Sequence, residues 1–177
     1  SGGSNPLYNI GPIDTSSAPG EYSNYNGHLL LACTSPSKLV SAVVYAEIVN
    51  TITFELRDNT GFVLDDTTIT VQVGEQRLYF DFDIPTGSDL ELGVSTGNTR
   101  LYRNNAGSGN VMAYPYNIGN VTITSSGAGD QYYYFYYDLE IMSPPTIPCW
   151  NTPGGTLEVL NPNPLFNYVW EEINNFG

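Results

Sequence analysis

From His28 onward, hydrophobic and polar residues alternate along short segments, which is typical of β-strands with one buried face. The clearest case is Gln76–Ile84, in which every second residue is Leu, Phe or Ile and those between are mostly charged. Thr51–Arg57 and Thr67–Val73 alternate in the same way. The alternation predicts that these side chains face the core: Ile52, Phe54, Leu56, Ile69, Val71, Val73, Leu78, Phe80, Phe82 and Ile84.

Residues 28–142 contain about nine such strands at intervals of about 8–12 residues, with no amphipathic helix between them. This spacing predicts an all-β fold, an antiparallel β-sandwich that is jelly-roll-like. We therefore expect residues 28–142 to form the folded module.

The two ends differ from this segment in composition. Residues 1–27 are rich in Gly, Pro, Ser and Asn and predict an irregular lead-in, and Ser1–Ser4 resembles a linker. Residues 143–177 are rich in Pro, and Thr156–Leu160 and Phe166–Trp170 are predicted strands. We expect this tail either to pack on the module or to open a following domain, because so short a segment cannot bury its own core.

Charge restricts the partners of the chain. It has 5 Lys and Arg against 18 Asp and Glu, a formal net charge of -13. Such a chain repels nucleic acid and anionic membrane surfaces, and its longest apolar runs are too short to span a bilayer. A single Lys with many Thr and Tyr residues favours a secreted or cell-surface β-protein.

Cys33 and Cys149 are far apart and show no C-x-x-C spacing, so they do not predict a zinc or redox motif. They form either one disulfide in an oxidising compartment or two buried thiols.

Catalytic motifs are missing from the sequence, and we expect a protein that is not an enzyme. The one histidine, His28, begins an apolar strand and is predicted to be structural. Two carboxylate pairs lie on single strands, Asp81 with Asp83 and Asp138 with Glu140. Glycosidases place their carboxylates across a cleft, so these pairs are predicted to be solvated.

One acidic turn offers oxygen ligands of the type that Ca²⁺ requires. Its candidate ligands are Asp58, Asn59, Asp65 and Asp66. Because their spacing does not match a calcium-binding loop, the alternative is a hydrated acidic turn.

Tyr132–Tyr137 is a continuous aromatic block with two predicted faces. Tyr133, Phe135, Tyr137, Leu139 and Ile141 should face the core, because they form the apolar set of the alternation. The opposite set should face outward as a platform for sugar rings: Tyr132, Tyr134 and Tyr136. The alternative is that this face is covered by the lead-in or the tail.

A second candidate contact surface lies in a predicted loop region. It comprises Tyr102, Arg103 and Asn104, together with Tyr114 and Tyr116. The alternative is that Arg100 and Arg103 pair with nearby acids.

Several short motifs resemble those of a recurrent β-sandwich module of Bacteroidetes secreted and cell-surface proteins. They include E-L-R-D-N at 55–59, G-E-Q-R at 74–77, F-D-I-P at 82–85, L-Y-R-N-N-A-G at 101–107 and Y-Y-Y-F-Y-Y-D at 132–138. The segment that ends at Tyr168–Trp170 resembles the entry to an Ig-like repeat. The resemblance implies an ancillary binding or adhesion module, with polysaccharides or cell-surface glycans and neighbouring domains as partners. The alternative is a structural spacer or assembly domain without a small ligand.

Overall fold

The structure is a computed structural model that describes residues 6–143, all within one compact unit. This part of the chain has thirteen β-strands and one short 3₁₀ helix at Thr15–Ser17, and no α-helix. The strands are β1 (Leu7–Ile10), β2 (Gly20–Ser23), β3 (His28–Cys33), β4 (Ser37–Ala46), β5 (Asn50–Arg57), β6 (Val63–Val71), β7 (Gly74–Ile84), β8 (Gly87–Val94), β9 (Leu101–Asn105), β10 (Tyr116–Ile118), β11 (Val121–Ser126), β12 (Tyr132–Tyr134) and β13 (Tyr137–Met142).

The strands form two antiparallel sheets. One has the order β1-β13-β4-β9-β12, with β2 paired to β9 and β7 paired to β4. The other has the order β10-β11-β3-β8-β5-β6. Consecutive strands such as β3, β4 and β5 fall in alternate sheets, so the chain crosses repeatedly between the two layers. The predicted all-β, antiparallel sandwich is confirmed.

The core lies between the sheets and follows the predicted alternation. On β5 and β7 the residues assigned to the inner face are buried. Phe54 and Phe80 meet at a ring-centroid distance of 5.3 Å, and Tyr136 lies 5.5 Å from Phe80. Burial of each such side chain contributes about 1.5–3 kcal/mol. One inward assignment is wrong, because Val73 lies in the turn after β6 and is exposed.

The lead-in is more regular than predicted. β1 pairs with β13 and β2 pairs with β9, so the irregular assignment of 1–27 is wrong for these strands. Both strands are four residues long and pair with longer strands, which supply the order that the Gly-, Pro-, Ser- and Asn-rich composition of the lead-in does not predict. The predicted tail at 143–177 lies outside the described residues, except for Ser143.

The sandwich has two distinct poles. The backbone of Leu7 lies opposite Met142, and the Oγ atoms of Ser37 and Ser143 are 3.3 Å apart, so the chain enters and leaves at the same end. We call this end the proximal pole. At the opposite end, the Asn98 amide donates to the Asn24 carbonyl. We call this end the distal pole; its loops are residues 24–27, 47–49, 72–73, 95–99 and 127–131.

Candidate binding site

The tyrosine block does not form the predicted outward platform. Tyr134 is 3% exposed and Tyr136 is 0% exposed, so their outward assignment is wrong, and Tyr132 is half-buried. The block is broken between β12 and β13, where Phe135 adopts a left-handed backbone with φ of 62°. That residue interrupts the strict alternation of an extended strand and turns Tyr136 into the core. The predicted inward set is confirmed as buried: Tyr133, Phe135, Tyr137, Leu139 and Ile141.

The buried phenols bond to the protein itself. The Tyr133 hydroxyl donates to the Tyr136 carbonyl at 2.7 Å, and the Tyr136 hydroxyl donates to the Gly93 carbonyl at 2.5 Å. The Tyr137 hydroxyl donates to Asn104 Oδ1 at 2.9 Å. Burial raises the pKa of Tyr133 and Tyr136 well above the ordinary value of a phenol. These side chains stabilise the core and are not available to stack on a sugar.

The structure places Tyr102, Arg103 and Asn104, which were predicted in a loop, on strand β9. β9 pairs with β2 on one side and with β12 on the other, so its backbone is covered on both sides. Asn104 is fully buried, and its Nδ2 donates to the Thr15 carbonyl at 2.9 Å and to the Ala18 carbonyl at 2.5 Å. Tyr102 packs edge-on against Tyr22 at 5.4 Å. The assignment of Asn104 to an exposed contact surface is therefore wrong.

Tyr114 and Tyr116 pack together over the core. Their ring centroids are 5.4 Å apart, and Tyr114 also stacks on Tyr133 at 6.0 Å. The Tyr114 hydroxyl donates to the Tyr132 carbonyl at 2.8 Å. Burial raises the pKa of both phenols. This half-buried pair packs against the core, and neither ring is among those that lie around the Arg103 guanidinium.

Arg103 is the centre of an aromatic cluster that includes one exposed ring. Its Cζ lies 4.5 Å from the ring centroid of Tyr132, 5.6 Å from that of Tyr25 and 5.7 Å from that of Tyr134. Arg103 is 8% exposed, whereas Tyr25 is 66% exposed. Of the predicted site residues, Arg103 and Tyr132 are thus brought together with Tyr25. Tyr25 was not among the predicted site residues, and its only signal in the sequence is an isolated aromatic residue between two asparagines.

The hydrogen bonds of Arg103 hold the cluster in place. Its two terminal nitrogens donate to Glu21 at 2.8 Å and to the Tyr134 hydroxyl at 3.2 Å. Burial lowers the pKa of Arg103, but the hydrogen bonds to Glu21 and Tyr134, together with the coulombic effect of the same two groups, outweigh burial and raise the pKa. Arg103 therefore stays charged and fixes the position of the rings around it.

A shallow hollow of about 250 Å³ lies beside Tyr25 at the distal pole. Asn26, His28, Gly127 and Ala128 line its walls, and the nearly buried ring of Tyr134 also lines it. A Cβ on Gly27 would collide with the Tyr134 ring, and a Cβ on Gly127 would collide with the His28 ring. The hollow thus depends on two glycines that let aromatic rings approach the backbone.

The cations of the chain are all engaged. Each of its five Lys and Arg residues lies in the described part and forms an ion pair with at least one carboxylate: Lys38, Arg57, Arg77, Arg100 and Arg103. Lys38 binds both Asp81 and Asp83, at 3.1 and 2.9 Å. Arg77 binds both Asp138 and Glu140. Each carboxylate pair therefore binds a cation. The side chains of Asp81 and Asp83 are 82% and 84% exposed, as expected of solvated groups. Those of Asp138 and Glu140 are only 21% and 27% exposed, so the solvated assignment is wrong for this second pair.

The predicted calcium ligands are not gathered. Asp65 and Asp66 are neighbours on β6 and point to opposite faces, and Asp65 Oδ1 accepts the Asp66 amide at 3.0 Å. Asp58 Oδ1 accepts the amides of Thr60 and Phe62, at 2.8 and 3.0 Å, which fixes its own turn. Within residues 6–143, no group of three or more acidic, His or Cys side chains is placed to hold a metal ion. The structure therefore does not bring Asp58, Asp65 and Asp66 into one acidic cluster, and calcium binding at Asp58, Asn59, Asp65 and Asp66 stays a prediction.

The thiol of Cys33 is buried at the proximal pole and lies 2.9 Å from the Ser35 carbonyl. Cys149 lies outside the described residues, so their pairing stays a prediction.

Comparison of the chain with family models, with curated proteins and with solved structures finds no match. The resemblance to Bacteroidetes modules therefore stays a prediction. Among the described residues, no helix is long and apolar enough to cross a membrane.

Proposed function

We propose that this chain is a non-catalytic adhesive or carbohydrate-binding module of a secreted or cell-surface protein, and that it binds through its distal pole. The observation that carries the proposal is the pairing of Leu7 with Met142, which brings entry and exit together at the proximal pole. Both ends of the described residues, 6 and 143, therefore lie at that pole. The distal loops are then the part of the module that projects toward a partner.

The composition of the distal loops supports this proposal. Ile48, Val49, Val73 and Tyr25 are large apolar or aromatic side chains exposed at this pole. Loops at one end of a rigid sandwich commonly carry binding, and exposed apolar side chains favour contact with a partner. The acidic charge supports a partner that is neither nucleic acid nor an anionic membrane.

A structural spacer or assembly domain is the second candidate. The observation in its favour is that the buried tyrosine hydroxyls bond to the protein's own groups, so these aromatic residues serve the core and not a ligand. However, adjacent entry and exit points add little length to a chain. This arrangement favours a projecting module over an extended spacer.

The proposal is tested by binding of the purified chain to a glycan array and to insoluble polysaccharides. Val73→Asp changes the distal pole, and Phe62→Asp is a matched control at a similarly exposed residue beside the proximal pole. We expect Val73→Asp to weaken binding and Phe62→Asp to leave it unchanged. A folded chain that binds no glycan contradicts the carbohydrate-binding form of the proposal and favours the spacer.

A further inference from the structure

We infer that the hollow beside Tyr25 is a subsite for one ring of an uncharged sugar. This inference rests on the proposed function and adds the position of the contact and the chemical class of the ligand. It is carried by the exposed Tyr25 ring, by the polar groups around the hollow and by the absence of an available cation there.

Tyr25 is held in place before any ligand arrives. Its backbone amide donates to Ser23 Oγ at 3.1 Å, and the preceding Asn24 is fixed by bonds from Asn98 and Arg100. The guanidinium of Arg103 lies over the Tyr25 ring. With 66% of the residue exposed, we infer that the opposite ring face is open to solvent. A fixed aromatic face binds a sugar ring with little loss of side-chain entropy.

The hollow has the size and polarity for a single ring. Its volume of about 250 Å³ is smaller than the roughly 300–1,000 Å³ of pockets that enclose drug-sized ligands. The amide of Asn26 and the imidazole of His28 lie on its walls, where they can donate to and accept from hydroxyl groups. An aromatic face beside a few hydrogen-bonding groups matches a sugar, which has an apolar face and a polar rim.

The charges around the hollow select against anionic sugars. The terminal nitrogens of Arg103 are bonded to Glu21 and Tyr134, and its Nε is buried without a hydrogen-bond partner in the described residues. His28 Nε2 lies 3.7 Å from Glu91. A uronic or sulfated sugar would therefore find no available cation and would meet a protein of net charge -13. An uncharged sugar meets neither obstacle.

The inference is tested by affinity electrophoresis in gels that contain a neutral polysaccharide (laminarin, xylan or mannan) or an anionic one (alginate or polygalacturonate). Tyr25→Ala removes the stacking ring, and Tyr25→Phe retains it. Tyr79→Ala is the matched control, because Tyr79 on β7 is also exposed, at 70%, and does not line the hollow.

We expect retardation by a neutral polysaccharide, a loss of affinity of about tenfold in Tyr25→Ala and little change in Tyr25→Phe or Tyr79→Ala. Binding that Tyr25→Ala does not weaken would overturn the subsite and leave the proposed function in place. Stronger retardation by the anionic gels would overturn the ligand class. Absence of binding to every glycan would contradict both the subsite and the carbohydrate-binding function.

Discussion

Leu7 and Met142 are paired residues on adjacent antiparallel strands, so the beginning and the end of the described chain lie side by side. Opposed residues in such a pair have Cα atoms about 4.5–5.5 Å apart. This pairing defines the proximal pole and, by opposition, the distal pole with Tyr25.

A disulfide engineered between Leu7 and Met142 tests whether the two ends of the described chain lie together at the proximal pole. The distance suits a disulfide, so Leu7→Cys with Met142→Cys should cross-link on oxidation. Closing so long a loop should stabilise the fold by about 2–4 kcal/mol. Mass spectrometry and thermal unfolding with and without reductant measure the two effects. Failure to form the cross-link in the folded protein would contradict the β1–β13 pairing.

Tyr136→Phe tests the role of the buried phenols. The substitution keeps the ring that packs against Phe54 and Phe80 but leaves the Gly93 carbonyl without its hydroxyl donor. We expect a loss of about 1–3 kcal/mol in the free energy of unfolding, measured by denaturant titration. Tyr79→Phe, at an exposed position, should change it by less than about 0.5 kcal/mol. Equal effects of the two substitutions would argue against a buried Tyr136.

The same phenols predict a loss of stability at alkaline pH. Burial raises the pKa of Tyr133 and Tyr136, while a tyrosine in the unfolded chain has a pKa of about 10. Above that pH the unfolded state binds fewer protons than the folded state, so the free energy of unfolding falls as pH rises. Below that pH, both states hold these protons and the stabilisation is fully present.

We therefore expect the phenolate absorbance of the buried tyrosines to appear together with the loss of the circular dichroism signal. A complete phenolate titration of a chain that keeps its fold would contradict their burial.

A substitution at Gly27 tests the wall of the hollow. Gly27→Ala places a methyl group against the Tyr134 ring, so we expect destabilisation of about 1–3 kcal/mol. Gly97→Ala is the control, because a Cβ there meets no heavy atom within 4 Å. Thermal unfolding of the two variants should separate them by several degrees. If both variants unfold at the same temperature as the unsubstituted protein, Tyr134 does not pack against Gly27.

The strands were predictable where the sequence shows an apolar run or a regular alternation of hydrophobic and polar residues. β3 has the bounds that its apolar run predicts, and Phe54 and Phe80 are buried as period-two alternation requires. β1 and β2 were not predictable, because partners far along the chain order these short segments. Local sequence carries little information about such pairings.

The candidate site was less predictable, and Phe135 explains much of the difference. A left-handed backbone at an aromatic residue is uncommon and is imposed by tertiary context, so alternation alone cannot predict it. Tyr25 illustrates the opposite case. Tyr25 belongs to the candidate site because its ring lies beside Arg103, which is 78 positions later in the sequence. Local sequence cannot predict such a contact.

Tyrosine nitration of the folded chain, followed by peptide mass spectrometry, tests most directly the claim that the tyrosine block is interior and that Tyr25 is the ring presented at the distal pole. We expect rapid nitration at the exposed Tyr25 and Tyr79, and protection of the buried Tyr134 and Tyr136 until the protein unfolds. Nitration of Tyr134 or Tyr136 in the folded protein at the rate of Tyr25 would contradict this claim.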